Sequence, residues 1–81
     1  MTTPENIHQY ISDGMACEHL SVDGDGHHFE AVIVSREFEG KRPIQRHQRV
    51  YAVLGDRMRQ EIHALSMTTL TPDEWAARGS K

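Results

Sequence analysis

An α+β fold of two layers, with elements in the order α-β-β-α-β-α, is predicted by three features of this 81-residue chain. Thr3-Pro4 and Thr71-Pro72 stand where helices begin, since threonine caps a helix and proline suits its first position. "DGDG" at positions 23–26 separates two stretches of alternating polarity, the pattern of a β-hairpin. A third such stretch, residues 62–70, follows a long helical pattern, as in a crossover to a parallel neighbour.

The first helix starts at Pro4 with Thr3 as N-cap, turns Ile7, Tyr10, Ile11 and Met15 to one side, and ends at Gly14. In "EHLSV", Leu20 and Val22 share one face while His19 and Ser21 share the other. After the turn, "HFEAVIVS" is a strand rich in β-branched residues. Phe29, Ala31 and Ile33 oppose His28, Glu30, Val32 and Val34 across it. "REFEGKRP" is a loop punctuated by Gly40 and Pro43. The long helix runs from Pro43 with Ile44, His47, Tyr51, Leu54 and Met58 as its apolar stripe, and His47 is expected to be a hydrogen-bonded core residue. Gly55-Asp56 breaks it, and Asp56 can cap a short second segment. "IHALSMTTL" is the third strand, with Leu65 and Met67 opposed to Ala64, Ser66 and Thr68. The last helix has Thr71 as N-cap, Glu74 at the capping-box position and Trp75 as its anchor. Residues 1–81 are expected to form one domain, a three-stranded mixed sheet with helices on one face.

Composition narrows the function. No stretch approaches the ~20 apolar residues that span a bilayer. The first ten residues have no apolar signal region, and Cys17 is the single cysteine, so a cytoplasmic protein without an internal disulfide is expected. Cys17 is expected to be a small buried thiol. The net charge of −3 does not suit a chain built to lie on a polyanion. No Gly-x-Ser-x-Gly elbow, phosphate loop or dinucleotide fingerprint occurs, and the chain is not expected to be an enzyme. Asp23 and Asp25 fit turn chemistry. The compositional excess is six histidines.

Topology gathers three of them. Parallel neighbours begin at the same sheet edge about 4.8 Å apart. Here one begins at His27-His28 and the other at His63. His27 is in phase with Phe29, and His63 with Leu65 and Met67, so these two lean to one side and His28 to the other. Two imidazoles are too few for a tight metal site, so a partner would have to supply further ligands. The plain alternative is surface histidines beside a turn. Arg46, Arg49, Arg57 and Arg59, with Lys41 and Arg42 before them, are expected to put positive charge on the exposed side of the long helix. That face could dock an acidic partner or a phosphate backbone.

"HFEAVIVSREFEGKRPIQRHQRVYAVL" and "IHALSMTTLTPDEW" together resemble the BolA family, motif by motif and in order. The short "DGDGHHF" loop is most similar to the family's acid-stress bacterial branch. The resemblance implies a class II K-homology-like fold and a cytosolic monothiol glutaredoxin as partner. The pair would bridge a [2Fe–2S] cluster, with the glutaredoxin cysteine and glutathione supplying thiolates. The family's His-Ala-Leu histidine matches His63. A second ligand comes from the hairpin loop, which is short here and holds no cysteine. His27, by loop position and parity, is expected to be that second ligand, with His28, in the recognisable family position, as the alternative. Imidazole in place of thiolate raises a cluster's potential and gives a protonatable bond, which suits a cluster that is passed on. The family also implies a nucleic-acid-binding stress regulator as the alternative, although "EGKRP" lacks the Gly-x-x-Gly that clamps nucleotides. A second copy of the chain is a further candidate partner.

Overall fold

The computed structural model describes residues 2–79. The elements are α1 (Pro4–Gly14), β1 (His19–Gly24), β2 (His28–Val34), a 3-10 turn (Arg36–Phe38), α2 (Pro43–Leu54), α3 (Arg57–Gln60), β3 (Ala64–Leu70) and α4 (Pro72–Ala77). The sheet order is β1-β2-β3, with β1 antiparallel and β3 parallel to β2. This is the α+β mixed sheet expected.

Local chemistry accounts for the element ends. Thr3 Oγ1 accepts the Asn6 N–H at 3.1 Å, and Thr71 Oγ1 accepts the Glu74 N–H at 3.2 Å. Glu74 Oε1 accepts the Thr71 N–H in return at 2.8 Å, closing a capping box. Gly55 takes a positive φ of 59° between α2 and α3, a conformation that favours glycine. The expected break is there, but Asp56 makes no cap bond and pairs with Arg59 at 3.0 Å instead.

The core lies between the sheet and the two longer helices. Ile7, Ile11 and Met15 meet Phe29, Ala31 and Ile33, with Phe38, Val50, Leu54 and Ile62 closing the cluster. Leu20, Val22, Leu65 and Met67 pack at its margin, the faces that alternation predicts. The last helix departs from a strictly one-sided arrangement. Trp75 stacks on His19 with ring centres 4.5 Å apart and planes 17° from parallel. His19 pairs in register with Val34, on the face opposite the core helices. Trp75 is thus the anchor expected, set against the outer face.

The long helix is rotated from its predicted stripe. Ile44 is 66% exposed and Tyr51 40% exposed, and His47 is half-buried rather than a core residue. Val50 and Leu54 face inward, with Val53 and Arg46 beside them. Arg46 causes the discrepancy, because its stem lies inward while its head finds polar partners. Its guanidinium donates to the carbonyls of Lys41 (2.9 Å) and Thr69 (3.1 Å) and to Glu74 (2.7 Å). Only 11% of that side chain is exposed, which corrects the expectation that Arg46 lies on the solvent side.

The Arg46 guanidinium and the Thr71 N–H hold the Glu74 carboxyl at about 2, below its ordinary 4.5. A depressed carboxylate stabilises the fold above the unfolded value and loses that effect as pH falls through the folded one. Glu74 therefore contributes fully above pH 4.5 and loses its contribution between there and about 2. In acid titrations followed by circular dichroism, Glu74→Gln is expected to flatten the stability loss across that window. An unchanged acid limb would contradict it.

Candidate functional site

The histidine edge is built from the hairpin and the start of β3. Asp25 Oδ1 accepts the N–H groups of both His27 and His28 at 2.9 Å, and the Asp25 N–H donates to the His28 carbonyl at 3.2 Å. These two N–H donors, that of His28 foremost, hold the Asp25 carboxyl below its ordinary value. Gly26, between Asp25 and His27, has φ 101°. Asp25 thus does the turn work expected of it, and that work orients the histidine pair.

Gly24 is equally constrained. A Cβ there would lie 2.6 Å from the His28 carbonyl oxygen and 2.5 Å from Phe29 Cδ1. The Phe29 ring lies across the glycine on the opposed strand. Gly24→Ala is expected to cost about 1–3 kcal/mol by overpacking. It should also shift the His28 and Phe29 NMR resonances, and a wild-type spectrum with wild-type stability would contradict this.

His28 stands opposite Ala64 in the parallel ladder, and the Ala64 N–H donates to the His27 carbonyl at 3.2 Å. His27 and His63 each precede their strands by one residue, and all three histidines are exposed. The His63 ring is edge-on to both others, with centres 6.1 Å away in each case and planes at 88° to His27 and 84° to His28. The expected lean of His27 toward His63 has no counterpart in these distances. Alternation of faces applies within a strand, and His27 lies in the bend, where Asp25 and Gly26 set the backbone.

The donor set suits a borderline metal such as iron. Two imidazoles on one tetrahedral ion, at metal–nitrogen distances of about 2 Å, have ring centres roughly 5 Å apart. The 6.1 Å separations are about 1 Å longer than that. Among the described residues, no group of three or more His, Cys, Asp or Glu is placed to hold a metal ion. Cys17 precedes β1, whose first residue pairs with the last of β2, at the end of the sheet away from the histidines. Burial, then Glu37 and Glu18, push its thiol up from its ordinary value, which keeps it protonated.

The arginines are mostly engaged within the chain. Arg49 pairs with Glu37 at 2.9 Å, and Arg57 lies 4.2 Å from the Tyr10 ring centre. Glu37 also accepts the Ala16 N–H at 2.8 Å. That bond first, and then Arg49, hold its carboxyl below the ordinary value. Lys41 and Arg42 remain at the start of α2, forming no ion pair among the described residues. Among those residues, no helix is long and apolar enough to cross a membrane.

The family model for BolA-like proteins matches residues 6–74. The chain belongs to the BolA family. Its sequence is similar to the DNA-binding transcriptional regulator BolA of Haemophilus influenzae, 45% identical over 60 residues. That match covers 74% of this chain but only 58% of the relative, so the chain spans little more than half of that protein. A BolA homologue from Coxiella burnetii has a solved structure of the same fold, with TM-score 0.85 and 47% identity. The alignment covers 94% of this chain and 99% of that one. The BolA domain of SufE1 from Arabidopsis thaliana matches with TM-score 0.78 and 29% identity, covering 88% and 93% of the two chains. The fold is therefore shared with these two solved structures, and in this chain it carries the three histidines at one edge.

Proposed function

We propose that this BolA-family chain is a cytoplasmic adaptor in iron–sulfur cluster assembly or trafficking, and not an enzyme. It would bind a [2Fe–2S] cluster jointly with a monothiol glutaredoxin. The observation that carries this reading is the position of His63, 6.1 Å from two further exposed imidazoles at an open sheet edge. His63 would ligate one iron together with His27 or His28, and the glutaredoxin cysteine and glutathione would ligate the other. The cluster is cargo, and imidazole ligation on one iron makes it easier to release on protonation than an all-thiolate set. Coexpression with a monothiol glutaredoxin, followed by anaerobic purification, tests this. A coloured complex with visible circular dichroism distinct from glutaredoxin alone is expected. A colourless mixture, or the spectrum of glutaredoxin alone, would sink the reading.

A second reading is a nucleic-acid-binding regulator. It is favoured by the name of the H. influenzae relative and by Lys41 and Arg42, which form no ion pair among the described residues. Against it stand the net charge of −3 and the engagement of Arg46 and Arg49 within the chain. Gel shifts across a salt series decide, since phosphate contacts weaken steeply with salt. No binding at the lowest salt would remove this reading.

A further inference from the structure

Three residues join α3 to β3: Glu61, Ile62 and His63. Ile62 is 4% exposed and sits in the core. The N–H groups of Glu61 and Ile62 both donate to the Arg57 carbonyl, at 2.9 and 3.2 Å. The Glu61 carboxylate accepts the Tyr10 hydroxyl from α1 at 2.9 Å, and the Arg57 guanidinium lies 4.2 Å from the Tyr10 ring centre. Beyond His63, the Ala64 N–H is bound to the His27 carbonyl at 3.2 Å. Among the described residues, the exposed His63 has no such fastening of its own.

We propose that Tyr10, Glu61 and Arg57 form a positioning clamp that fixes the His63 imidazole relative to His27 and His28. The inference rests on the cluster-binding reading, because a fixed imidazole matters only to a ligand. The clamp has a rigid base, since α1 is seated in the core by Ile7 and Ile11 on either side of Tyr10. A phenol donating to a carboxylate is a charge-assisted bond, stronger than a neutral one. That bond, then burial and the Glu61 charge, push the Tyr10 hydroxyl up from its ordinary value. Arg57 faces the same ring and attracts it as a cation over a π face. Neither Glu61 nor Arg57 belongs to the core cluster. What they locate is the turn that presents His63, and a ligand must be held within about 0.5 Å of its productive place. Without the clamp, the backbone at His63 can pivot between buried Ile62 and the Ala64 ladder bond.

The test compares Tyr10→Phe and Glu61→Ala with Glu61→Gln, which keeps the accepting oxygen. In the free chain, NMR relaxation dispersion at residues 61–63 should show new exchange in Tyr10→Phe and Glu61→Ala, but little in Glu61→Gln. The thermal midpoint should stay close to wild type for Glu61→Gln and fall by about 4–8 °C for Glu61→Ala, the loss of one hydrogen bond. In the coexpressed glutaredoxin complex, Tyr10→Phe and Glu61→Ala should lose iron to a chelator about fivefold faster, the value of one hydrogen bond. They should also show altered visible circular dichroism, which Glu61→Gln largely restores. Wild-type relaxation at 61–63 in both Tyr10→Phe and Glu61→Ala would overturn the clamp. If the wild-type chain forms no mixed complex, the cluster reading falls alone, and the free-chain relaxation still decides whether the clamp exists.

Discussion

His63→Ala is expected to strip the mixed glutaredoxin complex of its characteristic cluster spectrum, while His27→Ala and His28→Ala each weaken it. The asymmetry follows from the geometry. His63 is edge-on to both partners at the same 6.1 Å, so losing either His27 or His28 leaves an imidazole pair in place. Losing His63 leaves the neighbours His27 and His28, whose N–H groups share one Asp25 oxygen and whose rings have lost their common partner across the strands. Removing a group that merely orients a metal ligand already costs about 10–100-fold in affinity, so removing the ligand should cost at least that. The double variant His27→Ala/His28→Ala should resemble His63→Ala. All four variants change exposed side chains, so their unfolding midpoints should match wild type. Iron per complex and visible circular dichroism report the result. A His63→Ala complex with wild-type iron and spectrum would remove His63 from the site.

Phe38→Ala is expected to have the largest effect on stability, about 3–5 kcal/mol. Phe38 has no exposed surface and ends the short 3-10 turn after β2. That turn is secured by buried Ser35, whose Oγ donates to the Ala16 carbonyl at 2.6 Å and accepts the Glu37 N–H at 3.0 Å. The Arg46 guanidinium carbon lies 6.0 Å from the Phe38 ring centre, so the ring underlies the residue that ties α2 to α4. A domain of this size is near the lower end of the usual ~5–15 kcal/mol, so such a loss would leave much of the population unfolded. Urea unfolding followed by the fluorescence of Trp75, the single tryptophan, reads it directly. A midpoint within experimental error of wild type would contradict the packing described.

The histidine edge and Phe38 differ in how plainly the sequence marks them. The histidine edge is legible because it needs only element order and the parallel crossover, and both are encoded locally by caps, a turn and alternation. The choice between His27 and His28 is not, because the parity argument extends a strand rule into a bend. Phe38 escapes because it lies among charged loop residues, "REFEGKRP", where no periodicity marks it as core. The face of α2 is misread for a related reason. Arg46 counts as polar in any hydropathy pattern, yet its partners Thr69 and Glu74 lie 23 and 28 residues further along. Ile44 and Tyr51 complete a plausible stripe that the packed helix leaves exposed. The caps at Thr3 and Thr71 are legible because each is satisfied within three residues of itself.

On the proposed reading, this sheet edge is part of a site completed by another protein. Native mass spectrometry of the chain, purified anaerobically alone and after coexpression with a monothiol glutaredoxin, tests it most directly. The chain alone should appear without iron. The coexpressed sample should contain one copy of each protein with two irons, two sulfides and glutathione, and His63→Ala should lose that species. A [2Fe–2S] mass on the chain alone, or no cluster-bearing heterodimer with glutaredoxin, would rule out a shared site.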